Sequence, residues 1–299
     1  MKIKLQLLIL VGFGLIWHSC SEEVENSETP DKQEVSEFLK DPTRAFNTTF
    51  DGELFSIPSP VQTAMLIKEQ NFKYDFTLLN SSTEAEKYVS NNKKALNLGV
   101  YGADLGITAL YRKNNDALKY LTVVQALSTD LGIANSFGEE FFERYQKNAT
   151  NEDTMIVLLS EAFRKIDYEI KRTDDKNLSA LILVGGWVES MYISGNLHAS
   201  ENNELLLERI AEQALTVETF IRILDKYNEE DVNKDLIEKF KRIQKSFGKV
   251  KRKYTYVPST TDKEKKLTTI NSRTEINISE ATFKELMSEF TSLRNFIIE

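Results

Sequence analysis

The chain is poor in the residues that several common scaffolds and reactive sites require. Its 299 residues include one cysteine, two histidines, five prolines and 12 glycines. So few prolines and glycines argue against collagen, low-complexity disorder and a Gly/Pro-rich all-β sandwich. A chain of this length buries roughly 75% of its unfolded surface, so it needs neither a disulfide nor a metal ion to fold.

The residues that are abundant favour long helices. Hydrophobic residues make up 41% of the chain and charged residues 28%. We predict one all-α domain over residues 35–299, an irregular antiparallel bundle of about eight to ten helices. The segment 251–278 is polar and rich in threonine and lysine, which predicts a loop with a small β-hairpin, residues 254–257 against residues 267–270. We expect the last helix, 279–298, to dock on the domain.

Apolar residues at helical spacing and capping residues predict the other helices. Capping boxes begin at Ser136 and Thr150, and Ser279 is the expected N-cap of the last helix. The predicted helices cover a short stretch near 35–39, then 60–70, 81–90, 93–112, 116–131, the segments after both capping boxes, 178–193, 203–227 and 231–250.

The first 20 residues, MKIKLQLLILVGFGLIWHSC, have the layout of an export signal. Two lysines precede an apolar run of 13 residues, 5–17, and a small residue precedes Cys20. The run is shorter than the roughly 20 residues that span a bilayer. A lone cysteine at this place resembles the lipobox of bacterial lipoproteins. The resemblance implies a signal peptide over residues 1–19 and a lipid anchor on Cys20.

Residues 20–34 form an acidic tether of low hydrophobicity, which predicts a flexible link. The letters SEEVE after the cysteine resemble the acidic signal that directs some Gram-negative lipoproteins to the outer face of the outer membrane. We therefore expect a lipid-anchored protein of the cell outer membrane, with its domain on the periplasmic or the surface-exposed face. Cleavage removes two lysines and changes the net charge from −8 to −10. Such an acidic surface repels nucleic acid and anionic headgroups, so neither is an expected partner.

Residues 178–193 are apolar on every side, which predicts the central buried helix of the bundle. The 93–112 helix carries Gly99, Gly102 and Gly106 on one face. Each glycine in a helix interior costs about 1 kcal/mol relative to alanine, so a close neighbour must compensate. One interpretation is a tight crossing with the helix that carries Gly185–Gly186.

The other interpretation is that the glycines form the floor of a small-ligand pocket between helices 94–112 and 178–195. Two acids, Asp104 and Glu189, lie inside otherwise apolar helices, where an unpaired charge is costly. They pair with Arg or Lys, cap a backbone group or face a solvated cleft. The candidate ligand-binding residues are Tyr101, Asp104, Trp187, Glu189 and Tyr192.

The inventory of reactive side chains is small. After cleavage, His198 is the only histidine, and no Gly-x-Ser-x-Gly motif accompanies it. Asp231 begins a stretch that is similar to a calcium loop, but its sixth position is Leu236 instead of glycine and its twelfth is Arg242 instead of an acid. We predict no catalytic residue, no metal site and no cofactor.

These observations leave three hypotheses for the function. The first is a non-enzymatic binding or assembly protein of the cell envelope, with an envelope protein as its partner. The second is a small-ligand receptor that uses the pocket described above. The third is a hydrolase with two carboxyl groups facing each other across a cleft, one of them with a raised pKa.

The lipid anchor is tested by the substitution Cys20→Ala. We expect the variant to fold as before but to leave the membrane fraction, because no thiol remains to carry lipid. Cell fractionation with immunoblotting measures the change, and Ser21→Ala is the matched control. Equal retention of Cys20→Ala and the unaltered chain in membranes contradicts the anchor.

Overall fold

The computed structural model confirms an all-α helical bundle with small two-stranded β-ribbons. Every structural statement below concerns the described residues, which are 46–50, 53–57, 60–133, 139–148, 150–151, 154–155, 157–158, 161, 175–263 and 265–299. The export signal, Cys20, the tether, the helix predicted near 35–39 and most of the helix predicted after Thr150 lie outside these residues.

The described part of the chain contains nine α-helices. They are α1 (Pro60–Glu69), α2 (Asn91–Leu110), α3 (Asn114–Asp130), α4 (Glu139–Asn148), α5 (Lys176–Glu201), α6 (Glu204–Ala211), α7 (Ala214–Lys226), α8 (Lys234–Phe247) and α9 (Glu280–Ile298). Short 3₁₀ helices cover Phe76–Leu78, Ser82–Lys87 and Glu229–Asp231. The strands are β1 (Phe46–Phe50), β2 (Glu53–Ile57), β3 (Lys251–Thr255), β4 (Thr260–Asp262), β5 (Leu267–Thr269) and β6 (Arg273–Asn277).

Helices α2 and α5 form the most extensive contact of the bundle, and glycines allow it. A methyl group on Gly185 would lie 1.8 Å from the backbone oxygen of Leu96. A methyl group on Gly99 would lie 2.1 Å from the backbone oxygen of Ile182. Real Cβ atoms do not approach backbone atoms so closely, so at these two positions the glycines serve a tight helix crossing.

Helix α5 is the buried centre of the bundle, as its sequence predicts. The Trp187 ring is 1% exposed and packs against three phenylalanine rings from other helices, at centroid distances of 5.4 to 5.9 Å, namely Phe220, Phe240 and Phe290. Among the described helices, α5 alone has the length and composition to cross a membrane, and 89% of its most apolar window is buried inside the protein. Core helices share this composition, so it is weak evidence for a membrane span.

Three side chains tie the C-terminal end of α9 to the start of α2 and the segment before it. Lys93 Nζ donates to the carbonyl of Phe296, and Asn97 Nδ2 donates to the carbonyl of Ile297 at 2.9 Å. Tyr88 Oη donates to the carbonyl of Ile298 at 3.1 Å. These bonds satisfy carbonyls that a helix end otherwise leaves without partners.

The hairpin near 254–277 exists, but the predicted strand pairing is wrong. Strand β3 pairs with β6, and β4 pairs with β5, both antiparallel. The turn between β4 and β5 begins where the Asp262 carboxylate accepts the backbone N–H of Lys265 at 3.0 Å. Lys266 then adopts a left-handed conformation with φ 51°. This turn fixes a register in which Thr260 faces Thr269, and not the predicted pairing of residues 254–257 with residues 267–270.

Three further local predictions differ from the structure. The predicted helix 203–227 is two helices, α6 and α7, because the chain breaks at Gln213, whose side chain accepts from Trp187 Nε1 and donates to the backbone of Arg209. The predicted helix 81–90 is a 3₁₀ helix. The hairpin of β1 and β2 lies in a region without a predicted strand.

The crossing is tested by alanine at two glycines of the same helix. Gly185→Ala places its methyl group against backbone, so we expect a loss of stability of about 3 kcal/mol. Gly195→Ala meets the flexible Met287 side chain instead, which can move aside, and its loss is smaller. Urea unfolding gives both free energies. Equal stability of the two variants contradicts a crossing set by Gly185.

Candidate functional site

Asp104 and Glu189, the two acids inside apolar helices, meet at the interface of α2 and α5. Both residues are 0% exposed, and interaction between their carboxyl groups contributes to the pKa shifts of both. Tyr101 lies one turn before Asp104 on α2, and Tyr192 lies about one turn after Glu189 on α5. Helix packing therefore groups four of the five candidate ligand-binding residues.

Arg294 of α9 neutralises Glu189 through two parallel hydrogen bonds. Its Nε donates to Glu189 Oε2 at 2.6 Å, and its Nη2 donates to Oε1 at 2.7 Å. Nη2 also donates to the carbonyl of Leu78 at 3.2 Å, and the guanidinium lies 4.2 Å from the Tyr192 ring centroid. A buried pair with this geometry costs about 3–5 kcal/mol to break, because the remaining charge is left without a partner.

Asp104 lacks such a direct cation partner. Its Oδ2 accepts the backbone N–H of Asn80 at 3.1 Å, and its buried Oδ1 has no hydrogen-bond donor within the described residues. Burial raises the pKa of Asp104 well above its usual range, and the charge of Glu189 raises it further, although Arg294 opposes the rise. A proton kept on Asp104 and donated to Glu189 leaves a single negative charge beside Arg294.

Tyrosine hydroxyls fix the chain segment that covers the two acids. Tyr101 Oη donates to the carbonyl of Ser81 at 2.9 Å, and Tyr120 Oη donates to the carbonyl of Asn80 at 2.8 Å. Burial raises the pKa of both phenols, so they remain neutral donors. The same segment supplies the N–H that binds Asp104. The acids, the arginine and the tyrosines thus form one closed polar network.

Trp187, the fifth candidate, lies in a different part of the core. Its Nε1 donates to Gln213 Oε1 at 3.1 Å, and its ring contacts the phenylalanines described above. The five candidates therefore do not share one set of neighbours. A small ligand reaches the acids only if the bundle opens, since neither carboxyl group has solvent-exposed surface.

Arg294 is the residue that the sequence analysis missed. It lies between Leu293 and Ile297 and four residues after Phe290, in the apolar face of the last helix. A lone cation in an apolar face needs a buried anion. Asp104 and Glu189 stood out as acids within apolar helices, and Arg294 is the corresponding cation. The sequence therefore contained the signal for this residue.

Clefts open elsewhere, where α5 and α2 begin. One of about 630 Å³ is lined by Asn92, Asp175, Lys176, Asn177 and Tyr227, among others. The asparagine side chains there already hydrogen-bond to one another, Asn177 Nδ2 to Asn92 Oδ1 at 3.4 Å. The described residues contain no group of three or more His, Cys, Asp or Glu side chains placed to hold a metal ion.

Five of the eight exposed large apolar side chains described in the C-terminal half lie on residues 251–277, which we call the β-arm. It carries seven basic and three acidic residues, a net charge of +4, and this leaves −12 for the other residues of the chain. Five of its large apolar side chains are between 39% and 79% exposed, namely Tyr254, Tyr256, Val257, Leu267 and Ile270. The β-arm is thus basic and apolar at once, on an acidic protein.

The base of the β-arm contacts the bundle. Arg252 Nη2 donates to the carbonyl of Ala211 at 2.8 Å, and Ile276 packs against the core. Beyond the base, Ser272 bridges the strands by accepting from the Val257 N–H and donating to the Val257 carbonyl, both at 3.0 Å. Two-stranded ribbons are at best marginally stable in water. Both of its edges also present backbone groups that another strand can pair with.

Comparison with known proteins found no relative of this chain. No family model matches the chain, no curated protein matches it, and no solved structure matches it. The function proposed below therefore depends on the contacts and charges of this chain alone.

The shared proton of the acid pair is tested by Asp104→Asn. The folded pKa of Asp104 exceeds its unfolded value of about 4, so this group stabilises the fold fully below that pH and loses its contribution as the pH rises through the folded pKa. Asparagine does not titrate. We therefore expect the stability of Asp104→Asn relative to the unaltered chain to rise with pH from about 4 until the folded pKa is passed.

Urea unfolding at a series of pH values measures this difference. Asp225→Asn, on the exposed side of α7, controls for the loss of one negative charge. A difference for Asp104→Asn that is constant with pH contradicts the shared proton.

Proposed function

We propose that this protein is a lipid-anchored cell-envelope protein of the binding or assembly type, and that the β-arm is the element that holds its protein partner. The observation that carries this proposal is the exposure of five large apolar side chains on a basic two-stranded ribbon. Exposed apolar patches with polar surroundings are typical of interaction sites. Tyrosine is enriched in protein interfaces because it offers a large apolar ring with a polar end.

The anchor and the tether support a place in the envelope. Cys20 after an apolar run supplies the lipid attachment, and the acidic residues 21–34 supply the length that lets the domain move above the membrane. A protein held near the outer membrane meets envelope proteins at high effective concentration, so modest contact by the β-arm suffices for binding. The partner we propose is therefore an envelope protein.

The geometry of the acid pair favours this function over the two alternatives. A receptor pocket at Asp104 and Glu189 requires unpaired acids beside a cavity, whereas Glu189 is bound by Arg294. A hydrolase of the two-carboxylate type requires acids that water reaches, whereas both are 0% exposed. The pair is enclosed in the bundle, whereas the apolar side chains of the β-arm are exposed to a partner.

Site-specific photo-cross-linking tests the proposal. A photoreactive residue is placed at Tyr256, on the β-arm, or at Val89, which is 83% exposed on the bundle and serves as the matched control. In cells that express the full chain, we expect Tyr256 to form an adduct of defined mass with one protein and Val89 to form none. Reversal of three β-arm charges, Lys263→Glu, Lys265→Glu and Lys266→Glu together, should weaken the adduct. If the adduct at Tyr256 does not exceed the level found at Val89, the proposal is contradicted.

A further inference from the structure

We propose that the partner of the β-arm is a second copy of this chain, and that the β-arm docks on an acidic surface formed by α6 and the start of α7. This inference rests on the function proposed above and names its partner. The docking surface, which we call the acidic stripe, covers residues 201–218 and contains five acids and one arginine, a net charge of −4. The β-arm has a net charge of +4.

The acidic stripe combines charge with exposed apolar side chains, as the β-arm does. Leu205 and Glu208 of α6 lie three residues apart, so they share a helix face, and Glu212 follows one turn later as the C-cap of this helix. Leu205 is 49% exposed and Leu215, at the start of α7, is 75% exposed. On the β-arm, Tyr254 follows Lys253 and Leu267 follows Lys266, so apolar side chains lie beside cations there. Such complementarity gives an interface both its apolar contact and its orientation.

The stripe contains five acids and a single cation. The one arginine, Arg209, lies 3.6 Å from Glu212. Burial raises the pKa of Glu212, and Glu208 adds to the rise although Arg209 opposes it. A further cation beside these carboxylates therefore relieves repulsion. The lysines at the β4–β5 turn are exposed and can supply it.

Both surfaces are uncovered in a single chain, although they begin side by side. Every described residue from 256 to 270 is exposed, and so are Glu204, Leu205 and Glu208. The base of the β-arm contacts Ala211, at the end of α6, through Arg252. The β-arm thus begins beside the stripe.

This placement suits a pair of chains related by a two-fold axis. Each β-arm then lies on the stripe of the other copy, and the same two surfaces are used by both. Two salt-dependent contacts form together, so each can be weak while the pair is stable. A different acidic protein would bind one β-arm, but the acidic stripe would then have no partner.

Disulfide trapping between two forms of the full chain tests the inference. Each form carries its own epitope tag within residues 21–34, and the two are expressed in the same cells. One form has Ile270→Cys on the β-arm, and the other has Leu215→Cys on the stripe. We expect a disulfide-linked product that contains both tags. Val89→Cys in place of Leu215→Cys is the matched control, and Cys20 is common to all forms.

Charge exchange gives a second measurement. Lys263→Glu, Lys265→Glu and Lys266→Glu together should abolish the trapped product, and Glu204→Lys, Glu208→Lys and Glu212→Lys on the other form should restore it. Restoration supports a second copy, because no other partner gains positive charge in this experiment. A product at the level of the control, or loss without restoration, overturns the inference.

The two proposals fail in distinguishable ways. If Tyr256 cross-links to a different protein and no product carries both tags, the second copy is wrong while the binding function stands. If neither the cross-link nor the trapped product forms, both proposals are wrong. Sedimentation of the purified full chain in detergent should likewise give a dimer at low salt and a monomer after the triple charge reversal.

Discussion

Contact between the backbones of α2 and α5 determines how the rest of the core is arranged. Two helices meet this closely only where side chains are missing. Gly99 on α2 and Gly185 on α5 are the residues without side chains at this crossing. Each glycine lowers the intrinsic stability of its helix by about 1 kcal/mol, so packing across the crossing must offset that cost. The crossing also fixes which other residues of the two helices lie next to each other.

The most consequential of those residues are Asp104 and Glu189. A crossing that buries two acids at one level needs a cation, a proton or both. Arg294 supplies the cation from α9, and the pKa rise of Asp104 supplies the proton. Because a buried pair often contributes little net stability compared with apolar residues of similar volume, its main effect here is on specificity: α9 docks where Arg294 reaches Glu189.

Local sequence signals predicted most of the helices because caps and apolar spacing act within a few turns. The Ser279 side chain caps α9 by accepting the Thr282 N–H, and the segment predicted as the central helix lies within Lys176–Glu201. The pairing of Glu189 with Arg294 spans 105 positions, so no local pattern contains it. The strand register was missed for another reason: a polar strand exposed on both faces specifies its register weakly.

The bundle and the β-arm differ in whether their apolar side chains are covered. The bundle buries Trp187, Phe220 and Phe290 almost completely within a single chain. A two-stranded ribbon has no second layer, and its tyrosines and leucine stay in water unless a partner covers them. Burying one such side chain contributes roughly 1.5–3 kcal/mol, so a few of them buried together can hold a complex. The hydrogen bonds of the outer part of the β-arm are mainly within the arm. Substitutions that change its binding can therefore occur without altering the core of the bundle.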